Sequence, residues 1–314
     1  MWLLVIFAYY IIATLLPIDK IIGAIYPYMG AVLLFMAVGV GIMLVVGAFN
    51  GSHEMIELTP ATLKNWHFAP ESNILMPMLF IVVSCGAISG FHATQSPMMA
   101  RCLKNEKHAR PVFYGAMIAE GIVAMIWATA AMAYFGGPEA LNDAMSEGLK
   151  VNGEFLRDVN GEIVKLTPTI AVKTICESWL GQVGAIIAII GVVVCPITSG
   201  DTAFRSLRLS VADMLKVDQK PIVKRLLVCI PIFAIAFFFC KVDFSNAWTF
   251  LGISNQILAT IVLWTGAAYL ISKGKKHFMC SLPAAFLTYI CVSYLIVAPN
   301  QNAGLALSPM LGNI

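Results

Sequence analysis

The chain has 314 residues, of which 59% are hydrophobic and 12% charged, with a net charge of +3. A soluble domain carries about twice that charged share, so the composition excludes an ordinary soluble protein. A surplus this small, scattered over short loops, also excludes a nucleic-acid-binding surface.

Apolar runs of about 20 residues recur along the whole length, each long enough to cross a hydrocarbon core of about 30 Å as a helix. Eight spans are predicted, at residues 1–17, 27–49, 73–98, 111–136, 180–204, 225–240, 246–271 and 278–298. The first, MWLLVIFAYYIIATLLPI, has neither a basic leader nor a small-residue cleavage site, so it reads as a span and not as a signal peptide.

The third span carries the sequence CGAISGFHATQSP at residues 85–97, midway through an otherwise apolar stretch. Gly86 and Gly90 are poor helix formers, and Pro97 removes a donor and disfavours helix at Ser96. Ser89, His92, Thr94, Gln95 and Ser96 add donors and acceptors at the same place. A gap in a membrane helix is tolerated only where it is buried in protein or lines a wet cavity. Two readings follow. Either this is a discontinuous helix whose free ends hold a small anion and a cation near the midplane, or it is a kinked helix whose polar residues bond its neighbours.

The fourth span holds Glu120 among apolar residues. Desolvation there raises a carboxyl pKa and suits a proton carrier, while an ion pair or hydrogen bond to an adjacent helix is the structural alternative. His92 has the same two readings, a titrating group or a plain interhelical donor. Residues 137–179 form the longest connection, in which Thr167 before Pro168 reads as a helix start. It is a lid on the outer face or a solvated connector.

In the fifth span the stretch CPITSGDT, residues 195–202, predicts a second interruption. Thr198, Ser199, Asp201 and Thr202 offer the oxygen ligands that a hard cation such as Na⁺ takes. Alternatively, Asp201 caps a cytoplasmic helix and pairs with Arg205 one turn on. The seventh span contains Ser254, Asn255 and Gln256, whose amides are costly in lipid unless bonded to another helix or to a substrate. Helix-to-helix bonding is the favoured role for this island. The eight cysteines fall mostly in apolar segments without metal-ligand spacing and read as small buried hydrophobes.

The loops set the orientation. Basic residues gather at 99–110, 205–225 and 272–277, and the alternate loops are acidic or nearly neutral. By the positive-inside rule these basic loops are cytoplasmic, and a count of eight spans makes every loop alternate correctly. Met1 then starts outside, which implies a reversed first anchor or helices upstream of it. No HExxH, GxSxG or paired catalytic carboxylates appear, so no catalytic residues and no enzyme are expected.

The runs SGFHATQSPMMARCLKNE, RPVFYGAMIAEGIVAMIW, PITSGDTAFRSLRLSVADMLK and ISNQILATIVLW resemble the carbon starvation protein A family, from the first span to about residue 298. That family is similar to the amino acid-polyamine-organocation superfamily. The resemblance implies an all-α membrane protein of about eight transmembrane helices, part of a leucine-transporter-like fold of two inverted five-helix repeats. Residues 1–49 would supply the last two helices of the first repeat and 50–72 an outer loop. Residues 73–271 would be the second repeat with its outer lid at 137–179, followed by an additional helix at 278–298 and a tail at 299–314.

Helices upstream of Met1 would complete the first repeat, so the chain reads as N-terminally truncated. The resemblance further implies a plasma-membrane (inner-membrane) transporter importing peptides or small carboxylates such as pyruvate during nutrient starvation. Substrate would lie against Gly86, Ser89, Gly90, Phe91, His92, Thr94, Gln95 and Ser96, with Asn255 and Gln256 alongside. Thr198, Ser199, Asp201, Thr202 and Glu120 would serve the coupling ion, bound Na⁺ or transported H⁺. No cofactor, metal centre or nucleic-acid partner is implied beyond the lipid bilayer and the substrate. A membrane nutrient sensor signalling through the basic loops is the alternative function.

Overall fold

The computed structural model describes residues 2–15, 18–53, 55–57, 59–60, 62, 64–67, 75–151, 154–157, 161–240, 244–298, 304–305 and 307. The described chain is almost entirely helical, because a backbone in lipid has no water to bond and satisfies its N–H and C=O groups along its own axis. In order the elements are α1 (Trp2–Leu15), α2 (Ile18–Phe49), α3 (Leu75–Ala87), α4 (Phe91–Cys102), α5 (Ala116–Phe135) and α6 (Pro138–Ser146). The two-residue strands β1 (Lys150–Val151) and β2 (Glu154–Phe155) follow, then α7 (Pro168–Met214), α8 (Ile222–Phe239), α9 (Phe244–Ser272) and α10 (Phe278–Val297). A 3₁₀ turn at Glu106–His108 and a π-helical turn at Arg110–Gly115 lead directly into α5.

Among the described residues, six stretches are long and apolar enough to cross a membrane: Tyr26–Phe49, Glu106–Phe135, Pro168–Met214, Ile222–Phe239, Phe250–Ser272 and Phe278–Val297. The protein is a multi-pass helical membrane protein. The expected first span is the 14-residue α1, and the expected third is divided between α3 and α4. Outward-facing Val82, Val183, Leu227 and Phe238 are each more than two-thirds exposed, at 75%, 72%, 69% and 69%. Lipid, unlike water, does not penalise such a surface.

α7 is 47 residues long. A straight helix of that length would reach about 70 Å, more than twice the hydrocarbon core. It starts where the Thr167-Pro168 pair predicts, with the Ile170 amide 3.4 Å from the Thr167 hydroxyl. Its departure from helical geometry is at Gly181, where φ is +69° and ψ −178°. Glycine takes that left-handed φ without a steric penalty.

Two expectations are corrected here. Residues 195–202 do not interrupt α7, which passes through Pro196 and Gly200. Nor does Pro97 end the helix at Ser96, since α4 runs on to Cys102 with Pro97 inside. Proline removes one ladder bond and bends a helix; without an outside group to replace further bonds, the helix persists. One consequence is that residues 205–214, expected in a basic loop, are helical.

The described chain divides into two compact units. One comprises Gly23–Glu71 and Ile118–Pro196. Its core joins Met36, Val40 and Leu44 of α2, Ala130 and Ala133 of α5, and Ile175, Cys176, Trp179, Ala185 and Ala188 of α7. Small residues let the helices approach closely: a Cβ on Gly39 would lie 3.1 Å from Leu180, and one on Gly191 would lie 3.3 Å from Val32. The segment after α5 folds as α6 and the β1–β2 hairpin, with Leu166 N bonded to Ala144 O at 2.9 Å. The Asn142 side-chain amide donates to the Trp66 carbonyl.

The other unit comprises Met1–Ile22, Ser72–Met117 and Ile197–Ile314. In it α9 and α10 pack against α3 around Ile81, Ile253, Ile290, Cys291 and Tyr294. A second cluster joins Tyr10 of α1 to Cys229 and Phe233 of α8. Phe204 of α7 lies 5.2 Å from Tyr10 and 4.9 Å from Phe233, centroid to centroid.

Candidate functional site: the break between α3 and α4

α3 ends at Ala87 and α4 begins at Phe91, so the discontinuity is confined to Ile88, Ser89 and Gly90. It is held by α9. A Cβ on Gly90 would collide with the backbone carbonyl of Asn255 and sit 2.7 Å from its Oδ1, so only glycine admits this approach.

Ser89 is 8% exposed. Its hydroxyl accepts from the Asn255 side-chain Nδ2 at 2.9 Å and from the Phe91 amide at 3.2 Å. It also lies 3.3 Å from Asn255 Oδ1 as donor. A hydroxyl has one proton and two lone pairs, so its bonding capacity is filled.

The opening turn of α4 is likewise occupied. His92 N bonds to Ser89 O at 3.1 Å and Ala93 N to Gly90 O at 3.0 Å. The half-helix end therefore does not present three bare amides, as the sequence alone suggests; serine and the turn have taken them. What remains toward a ligand is side-chain chemistry. His92 Nδ1 is 3.0 Å from the Ser89 carbonyl. A carbonyl only accepts, so Nδ1 carries the proton, and in the neutral ring Nε2 is left as an acceptor.

The other predicted residues are placed as follows. Phe91 is partly exposed, at 36%. Thr94 donates to the Phe91 carbonyl at 2.9 Å. Gln95 and Ser96 are half-buried on the next turn of α4, and Gly86 lies in the last turn of α3. Gln256 is fully buried, and its Nε2 lies 3.4 Å from the Ile81 carbonyl, clamping α9 to α3. Ser89, Gly90, His92 and Asn255 thus come together, while Gln256 serves the same helix pair through α3.

The hydroxyl group on α7 engages different partners. Thr198 and Ser199 are half-buried, and Thr202, buried, donates to the Ser199 carbonyl at 2.9 Å. Buried Asp201 and Arg205 approach at 3.5 Å across one turn. Arg205 Nη2 also donates to Ala13 O at 2.5 Å, and Arg208 Nη1 to Thr14 O at 2.6 Å. The two guanidinium groups meet carbonyls at the negative end of α1. The alternative reading of Asp201 as pairing with Arg205 one turn on is the one seen, whereas the contact of Arg205 and Arg208 with α1 is not read from the sequence. The i, i+4, i+7 spacing of Asp201, Arg205 and Arg208 is the signal that puts them on one helix face.

Glu120 is on α5 in the other unit and is exposed within this chain. The desolvation expected of it does not come from these residues.

The sequence profile of the family described as carbon starvation protein CstA matches residues 1–294. A Haemophilus influenzae protein named an uncharacterized membrane protein is 49% identical over 159 residues, covering 47% of this chain and 42% of that one. The Bacillus subtilis peptide transporter CstA is 28% identical over 294 residues, covering 83% of this chain and 48% of the relative. The Escherichia coli pyruvate/proton symporter BtsT is 33% identical over 158 residues, covering 49% of this chain and 21% of the relative. The chain spans less than half the length of these relatives, and no solved structure matches it. With a profile match over nearly its whole length, this chain belongs to the carbon starvation protein CstA family.

Proposed function

We propose that this chain forms part of a cation-coupled secondary transporter that imports peptides or small carboxylates such as pyruvate across the plasma membrane during nutrient starvation. The observation that carries this reading is the α3–α4 break, packed glycine-to-backbone against α9 and followed on α4 by half-buried His92, Thr94, Gln95 and Ser96. Buried irregular backbone at membrane depth is the place where transporters bind their cargo. The names borne by the Bacillus and Escherichia relatives supply the two substrate classes.

In this reading α1 and α2 are the closing helices of a first five-helix repeat, and α3–α4 is the broken opening helix of the second. The segments around 99–110, 205–225 and 272–277 face the cytoplasm. His92 presents its Nε2 to the substrate. Where the coupling ion is Na⁺, Thr198, Ser199 and Thr202 contribute oxygens to it beside the Asp201–Arg205 pair; a coupling H⁺ is carried by a titratable side chain instead.

The test is uptake of labelled dipeptide and labelled pyruvate by right-side-out vesicles from cells making the chain. Collapsing the proton and sodium gradients should abolish accumulation. His92→Ala should lower uptake by about tenfold, the effect of losing one hydrogen bond near 1.4 kcal/mol, while leaving the amount of folded protein unchanged. Accumulation that persists without either gradient would overturn the coupling, and unaltered kinetics in His92→Ala would remove that residue from the site.

A further inference from the structure

α5 and the turns leading into it, Glu106–Phe135, form the least buried of the six long apolar stretches, with 11% of its most apolar part buried against 17% or more for the others. The inner face of α5, with Ile126, Trp127, Ala130 and Ala133, packs into a core. Within its own unit and among the described residues the opposite face is open: Ile118, Ile122 and Met125 are 48%, 48% and 64% exposed, and Ala124 and Ala128 are exposed beside them. A Cβ on Gly121 would meet nothing within 4 Å.

Glu120 stands at the edge of this open face, in the middle of the 30-residue run. The residues one turn away on its own helix are Ala116, Met117, Val123 and Ala124, so no cation on α5 reaches it. No described residue is bonded to it. An acid at the bilayer centre is costly to insert and is found facing protein or a wet cavity, not acyl chains.

We infer that this face of α5 docks a transmembrane helix from outside these 314 residues, with a basic or amide side chain at the depth of Glu120. The face suits such a partner in two ways. Its small residues let a second helix backbone come close, and its carboxylate then bonds across the contact. The occupant belongs to the family's remaining sequence, since the stretch matched in the Bacillus subtilis relative is 48% of that protein and leaves as much again to supply further helices. The inference does not depend on the transport reading, because it concerns what completes the fold.

A photoreactive benzophenone amino acid in place of Met125 tests it, in the membranes of cells that make the chain. The expected product is one adduct whose sequenced peptide matches this family, lies outside residues 1–314, and carries Lys, Arg, His, Asn or Gln in an apolar run. Glu120→Leu should lower its yield about tenfold, whereas Glu120→Gln, which keeps a hydrogen-bonding group, should lower it less than about threefold. An adduct to lipid, to a second copy of this chain or to an unrelated protein overturns the inference. So does a yield that Glu120→Leu leaves unchanged.

Discussion

CGAISGFHATQSP in the third expected span and CPITSGDT in the fifth have the same ingredients: glycine, proline and a run of hydroxyl side chains. One breaks its helix and the other does not. The difference lies across the contact. At Ser89 and Gly90 a neighbouring helix brings Asn255, whose side-chain amide holds the Ser89 hydroxyl, and that hydroxyl in turn takes the Phe91 amide freed by the gap. Between Thr198 and Thr202 the Thr202 hydroxyl turns back onto the Ser199 carbonyl of its own helix and Asp201 pairs with Arg205, and the helix continues. Helix-breaking residues permit a discontinuity in lipid, and a partner that satisfies the freed groups decides whether one forms.

The sharpest way to break this comparison is to add one methyl group at each place. Gly90→Ala drives a Cβ into the Asn255 backbone, which moves only if α9 moves. A destabilisation of about 3 kcal/mol is expected, the upper end of overpacking costs. Gly200→Ala instead meets the tip of the Tyr10 side chain, which yields by a swing about its Cα–Cβ bond without moving backbone, and about 1 kcal/mol is expected. Thermal unfolding of the detergent-solubilised protein reads both. Equal losses would mean that the α9 contact is no tighter than the Tyr10 contact.

A second test asks whether Asn255 is the partner that matters. Ser89→Ala and Asn255→Ala each remove one side of a buried pair, at about 1.5 kcal/mol apiece. Their double mutant should cost about 1 kcal/mol less than the sum of the two. Strict additivity would show that the serine and the amide act independently, and the break would need another explanation.

Much of the architecture is legible in the sequence. The long apolar runs, the start of α7 at Pro168 and the discontinuity near Gly90 all follow from composition and local chemistry, because in lipid hydrophobicity and backbone satisfaction outweigh every other influence on the chain. What could not be read is set by contacts distant in sequence. Nothing local says that Asn255 reaches Ser89 from 166 residues away, or that Arg208 reaches Thr14 from 194. The exposure of Glu120 is illegible for the same reason: a carboxylate in an apolar run implies a partner without saying which segment provides it. The expected break extends too far at its C-terminal end, since Phe91 to Pro97 carry the expected residue types but sit in regular helix.

Pro196 gives the smallest effect and separates a property of the fold from a property of the working cycle. It is exposed and lies inside α7, so exchanging it for alanine disturbs no packed neighbour. The exchange restores a backbone donor and relieves the ring's clash with the preceding turn. If the closed ladder is the stable state of this stretch, Pro196→Ala should raise stability by about 1 kcal/mol, read as a higher midpoint in thermal unfolding. Uptake is the second readout. A transporter that opens residues 195–202 to admit or release its ion would be slowed by the same substitution, because the repaired bond is one it must break. A more stable protein with unchanged uptake means that residues 195–202 stay helical throughout the cycle, and the opening motion then falls to the gap between α3 and α4.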